Sequence, residues 1–344
     1  MTSLILPTYA LTLGNEQFTE QAVELRVALE LAPVPDSVTV VFPAHVKLSA
    51  SPGDAARLTL GNGESDEPVF TGTIAAIDRS FDAVRVRALD AGGILSTFRP
   101  AATYEQTTAG EVAKSLCADC GVDTGDVDDG VDLAFYAADP SRTAYEHIAR
   151  VAEWSGAIAR VSADDALEMI VLNATTAELA LRYGRELLAI TQESRPSAIE
   201  SFVVAGESGA GSASVPEALR PTTDFFAGNR PDAPARTARL ASAPALRTAA
   251  AAASAGAARQ RAYAAARFRG AFDAFLLPKL RPGTIVEMQD LPDGLAADLI
   301  WLRRVVHVIR RDGAVTRAGF ARGGDAFDPM ALLGSLAGAL SAAF

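Results

Sequence analysis

Any chemistry performed by this chain must come from a small set of reactive side chains. Two cysteines, Cys117 and Cys120, stand in a C-A-D-C spacing that suits a redox pair or half of a metal site. A redox pair needs its first thiol at a helix N-terminus, where the helix dipole lowers the thiol pKa. This pair instead closes a helical pattern just ahead of Gly121. A zinc site needs two further ligands, and the three histidines, His45, His147 and His307, are scattered along the sequence. Both cysteines therefore read as ordinary thiols, and two are too few for a disulfide scaffold. His147, beside Glu146 and one turn from Arg150, reads as an exposed or half-buried structural histidine on a helix. His307 alternates onto the face of Val305 and Ile309 and reads as a half-buried structural residue.

The acidic run Asp123, Asp126, Asp128, Asp129 and Asp132 suggests a calcium loop, but its register fails. Counted from Asp126, Gly130 falls where a ligand is needed and Ala137 where the closing Glu belongs, so a solvated turn is expected. The GESGAGSAS stretch from Gly206 lacks the Lys-Ser/Thr ending of a phosphate-cradling loop. No G-x-S-x-G elbow is present. Paired carboxylates for glycoside cleavage are defined in space rather than in sequence, and no aromatic-rich stretch marks a sugar cleft. No catalytic, cofactor-binding or metal-ligating residue is expected, and the chain reads as a non-enzyme.

The elements that would position such groups are mainly strands. The chain has 344 residues, 49% of them apolar and 21% charged, which predicts two or three globular domains. A formal charge of −11 argues against a nucleic-acid-binding surface, which needs clustered Lys and Arg. No run reaches the ~18 apolar residues of a membrane span. The N-terminal MTSLILPTYA is broken by Pro7 and does not read as a signal peptide. Folding in the cytoplasm of the producing cell is the expectation.

Two stretches share one pattern, Ser51 to Leu89 and Leu280 to Arg322. Each opens on Pro-Gly, enters a short strand, passes a loop rich in Gly, Asp and Pro, and continues into a β-branched run that turns on charged residues and returns as a strand. Val23 to Leu31 alternates as a half-buried strand, and Val38 to Phe42 follows as another. Residues 1–98 thus read as a first antiparallel barrel. Residues 99–176 read as an α/β insert with helices from Ala109, capped by Thr107 or Thr108, and from Ser141. Residues 177–327 read as a second barrel, carrying an extended loop at 206–240 and an Ala-rich helix at 245–268. Residues 328–344 read as a helical tail.

Several pieces carry a family likeness: TTAGEVAKSLCADCGV, the AYEHIARVAEWSG helix, and LRPGTIV leading to VVHVIRRDGAVTRAGF. Over about residues 50–322 the chain resembles the late control protein D family, the baseplate hubs of contractile phage tails and contractile injection systems. It also resembles the N-terminal part of type VI secretion spikes. The resemblance implies two tail-tube-like β-barrels per chain and a homotrimer that joins a hexameric inner tube to a separate trimeric spike protein, with other baseplate components as further partners. It brings no catalytic residues and no cofactor. It implies assembly into a phage tail-like particle, with a ring of sheet to which Val23 to Leu31 contributes, and the acidic balance suggests a negative conduit or outer wall. The competing readings are a tail-associated cell-wall hydrolase, which predicts a convergent acid pair, and a free carbohydrate- or protein-binding module, which predicts a stable monomer with an aromatic groove.

Overall fold

The computed structural model describes residues 7–63, 65–172, 176–195, 201–206, 238–295 and 299–323. Most of the expected 206–240 loop and the expected 328–344 tail lie outside them. The fold is mainly β with a small α insert. Its first part comprises β1 (Thr8–Leu13), β2 (Glu16–Phe18), β3 (Glu24–Leu29), β4 (Ser37–Pro43), β5 (Ala55–Gly61), β6 (Asp66–Arg79) and β7 (Ala83–Leu89). Alternation dictates the pairing of faces: along β4 the even positions Val38, Val40 and Phe42 are buried while their neighbours are half exposed.

The insert follows as α1 (Ala91–Leu95), β8 (Ala102–Thr108), α2 (Ala109–Cys120), β9 (Thr124–Val127), β10 (Asp132–Ala138), α3 (Ala144–Ser155), β11 (Ala157–Val161) and β12 (Leu167–Val171). Thr108 caps α2 and Thr143 caps α3, each in a reciprocal capping box with Glu111 or Glu146. Gly121 and Gly156 end the two helices in the left-handed conformation. The acidic run is solvated, its five aspartates being exposed, but it is not simply a turn, because β9 occupies part of it and pairs in parallel with β12. There Asp128 Oδ2 accepts a hydrogen bond from the Val171 amide at 2.6 Å.

The last part comprises β13 (Leu179–Arg182), β14 (Leu187–Ser194), β15 (Ser201–Ala205), β16 (Ala238–Ser242), α4 (Ala249–Ala266), β17 (Phe268–Phe275), β18 (Ile285–Gln289), β19 (Leu299–Arg310) and β20 (Gly313–Arg322). The Ala-rich helix is shorter than its sequence pattern, since Phe268 opens β17. That strand was masked by the run of Ala and Arg before it.

The first and last parts are built alike. Neighbouring strands run β3-β4-β7-β6-β5-β1 in the first and β14-β17-β20-β19-β18-β13 in the second. Only the outermost contact differs: β1 is antiparallel to β5, β13 parallel to β18. The Pro-Gly pairs form equivalent type II turns, with Gly53 at φ 98° and Gly283 at φ 93°. Beyond each turn the glycine amide meets the long strand: Gly53 N donates to Ile74 O, and Gly283 N to Leu302 O. A β-bulge follows at once in both, between Ile74 and Ala76 and between Leu302 and Arg304. Ile74 and Leu302 are therefore equivalent positions. The hairpin past them is longer in the second unit, eight residues from Leu302 to Arg310 against six from Ile74 to Ser80.

Candidate assembly interface

The positions singled out by their chemistry differ in burial and partners. Burial pushes the Cys117 thiol up to about 12, and burial followed by the Asp119 charge raises Cys120, so neither is a poised thiolate. His147 is fully buried rather than exposed. Its Nε2 lies 3.0 Å from the Asp139 carbonyl oxygen and so carries the proton, leaving Nδ1 to accept from the Tyr136 hydroxyl at 2.6 Å. His307 is also fully buried, with Nδ1 2.9 Å from Thr316 Oγ1. Burial, reinforced by the Arg281 charge, lowers its pKa to about 3 and keeps it neutral. His45 is exposed near the start of the β4–β5 loop. Among the described residues no three His, Cys, Asp or Glu side chains gather into a group that could hold a metal ion.

A cleft of about 710 Å³ lies between α3, α4 and the second unit. Five arginines line it, Arg142, Arg150, Arg259, Arg261 and Arg303, against two carboxylates, and both carboxylates are already engaged. Glu146 closes the α3 capping box, and Glu153 pairs with Arg259 at 3.0 Å. A two-carboxylate hydrolytic site is not assembled there.

The two units meet at a seam. Strand β3 of the first unit lies antiparallel against β19 of the second, from Val305 opposite Leu29 to Arg310 opposite Glu24. Both units thereby merge into one sheet and one core cluster. The inward side of the seam is dry, since Leu25, Val27, Leu29, Val305 and His307 are all fully buried. Its outward side carries Ala28, Val306 and Val308, also buried, between two ion pairs, Arg304 with Glu30 and Arg310 with Glu24. Val23 to Leu31, expected to contribute to a ring of sheet, is paired within the chain on both sides, by β19 and by β4, and its alternating pattern contained no signal of either partner.

Two of the strand edges left open among the described residues lie along the wall that the seam joins. Strand β14 pairs with β17 on one side only, and its residues 188–194 are exposed or half exposed. The distal half of β6, from Ala76 to Arg79, pairs with β7 on one side and with no described strand on the other. In the second unit the same flank, on β19, is the one that β3 covers. The insert docks at the opposite end of the strands from the hairpin tips: the Arg160 guanidinium donates to the Pro282 carbonyl, and the Ala32 amide donates to the Ala159 carbonyl at 2.8 Å.

No family model and no curated protein matches the sequence, but solved structures share its fold. A 43 kDa tail protein of prophage MuSo2 from Shewanella oneidensis superposes with a TM-score of 0.67 at 16% identity, covering 93% of this chain and 100% of that one. A tail protein from Neisseria meningitidis gives 0.69 at 13%, covering 92% and 96%. A type VI secretion component of E. coli, described as similar to the T4 bacteriophage tail proteins gp27 and gp5, gives 0.61 at 11%, covering 92% and 77%.

Proposed function

We propose that this chain is a structural baseplate hub of a contractile, phage tail-like injection machine, a homotrimeric adaptor between a hexameric inner tube and a trimeric spike, with no catalytic role. One observation carries the reading: two units with the same strand order stand side by side in a single sheet within one polypeptide. Three such chains would present six similar units, so a threefold object offers a sixfold rim. In this reading 1–98 and 177–327 are the tube-like units and 99–176 is the insert. The insert end serves the threefold spike, and the bare hairpin end receives the tube. Assembly takes place in the cytoplasm of the producing cell, and the finished chain sits in the particle's baseplate.

The fold shared with phage tail and type VI secretion components supports this reading. The commitment of both carboxylates in the arginine-rich cleft supports it over a cell-wall hydrolase. One part of the wall runs against the acidic expectation. Arg26, Arg85 and Arg87 share the exposed face of the sheet with Asp78, while Glu24 is neutralised by Arg310. In this proposal the first unit's share of the conduit wall is therefore basic, while in the second unit Glu193 and Asp273 are paired with Arg269 and Arg317. Imaging of the purified full chain, alone and with its spike protein, tests the reading. The expected result is a threefold ring with a central hole. A persistent monomer in the presence of spike and tube, or lysis of cell wall by the purified chain, would overturn it.

A further inference from the structure

The arginine-rich cleft holds more positive charge than its own residues balance. Glu146 closes the α3 capping box and Glu153 holds Arg259. Arg150 lies over the Trp154 ring, 4.8 Å from its centroid, and Arg142, Arg261 and Arg303 enter no ion pair among the described residues. Arg261 is half-buried, and desolvation, with no neighbouring charge against it, lowers its pKa. A cation drawn out of water without a counter-charge costs free energy that an incoming anion recovers. Gly156 makes room for this guanidinium, since a Cβ there would stand 2.6 Å from Arg261 Nη2.

The cleft is elongated. Arg142, Glu146, Arg150, Glu153 and Gly156 follow one another three or four residues apart, so they line one face of α3 along its 12 residues, about 18 Å. Ala258, Ala262 and Ala266 keep the facing wall of α4 thin, and Ile158, Leu172 and Trp301 make the floor apolar. A compact anion would engage one or two of the arginines. An extended chain of about five residues, at roughly 3.3 Å each, runs the whole length. Arg150 and Gly156, beside which Arg261 lies, are about 9 Å apart along the helix, the span of about three extended residues.

This sequence carries a segment of that chemistry where it leaves the described residues. Ala321, near the end of β20, lines the cleft, and the Gly323 amide donates to the Leu299 carbonyl at 2.6 Å. The next residues in sequence are Gly324, Asp325, Ala326, Phe327, Asp328 and Pro329, two carboxylates three residues apart with an aromatic side chain between them. We propose that Asp325 to Asp328 occupy the cleft of their own chain, the aspartates meeting its unpaired arginines and Phe327 its apolar floor. Five residues at about 3.5 Å each carry Asp328 up to roughly 18 Å from Gly323, which matches the groove. Tethering holds the segment at a roughly millimolar effective concentration, so modest ionic contacts suffice. The inference stands apart from the hub reading, since it concerns one chain alone.

Cross-linking and a competing peptide test it in the full-length chain. A Cys120→Ser background leaves only the buried Cys117. There Ala262→Cys with Ala326→Cys should form a disulfide within single chains under mild oxidation, read by mass spectrometry of proteolytic fragments. Adding Asp325→Asn and Asp328→Asn should slow that bond at least fivefold, and an unchanged rate would overturn the ionic docking. Separately, a fluorescein-labelled Gly-Asp-Ala-Phe-Asp-Pro peptide should bind the Asp325→Asn, Asp328→Asn chain at least tenfold more tightly than the unaltered chain, whose own segment competes. Arg303→Gln, at an exposed position of β19, should remove at least fivefold of that affinity. Equal binding to both chains would overturn the segment as occupant and give the cleft to an acidic segment of another protein. Binding to neither would overturn the cleft as a site.

Discussion

Asp36 and Asp90 are buried side by side where the first unit meets α1 and the insert, 5% and 4% exposed. Asp36 Oδ1 accepts from the Glu30 amide at 2.6 Å, whereas the Asp90 carboxylate makes no well-formed hydrogen bond. Desolvation pushes the Asp36 carboxyl up to about 7, and desolvation followed by the Asp36 charge holds Asp90 well above the ordinary range. A carboxyl whose folded pKa is raised stabilises fully below its unfolded value of 3.8, and that contribution is lost as the pH climbs through the folded value, here toward about 7. Thermal unfolding should therefore show stability falling from pH 4 to pH 8. Asp90→Asn, which mimics the protonated form and removes no side-chain cap, should raise stability near pH 8 by on the order of 2 kcal/mol and flatten the profile. Unchanged melting at both pH values would show that the pair does not titrate. At the far end of the molecule, Phe81 stands 96% exposed on the β6–β7 tip. Phe81→Ala should leave stability within about 0.5 kcal/mol while weakening co-sedimentation with the tube protein.

At the level of elements, local chemistry made much of the insert legible. Glu111 three residues after Thr108, and Gly after the last turn, predict α2 without any tertiary knowledge. The same signals fix α3, although its cap is Thr143 rather than the Ser141 from which the helix was expected to start. Thr143→Ala should cost about 1 kcal/mol, measurable as a lower denaturant midpoint. What stayed hidden is long range. Strand β17 was masked by its alanine-rich approach, and nothing in the alternation of β3 told which strand it would meet. The two repeats spaced alike in sequence for a misleading reason: the second is shorter before Leu302 and longer after it, so the lengths nearly cancel. Histidine burial was missed too, because a neighbour in space covers His307 and no neighbour in sequence announces it.

For the whole molecule, the internal seam predicts that the two units unfold together. Calorimetry should show one transition covering both, and Val27→Pro, which removes a donor from the middle of β3, should lower it and split it in two. Two transitions in the unaltered chain would show that the shared sheet does not couple the units. The unequal hairpins carry a separate consequence for anything resting on their tips. Two extra residues per strand lengthen the β19–β20 arm by roughly 7 Å at strand rise, so a closed threefold assembly would present tall and short fingers in alternation. The first layer of any sixfold partner seated there would lose its own equivalence, every second subunit gripping a different height, and would return to uniformity only in the layers stacked above.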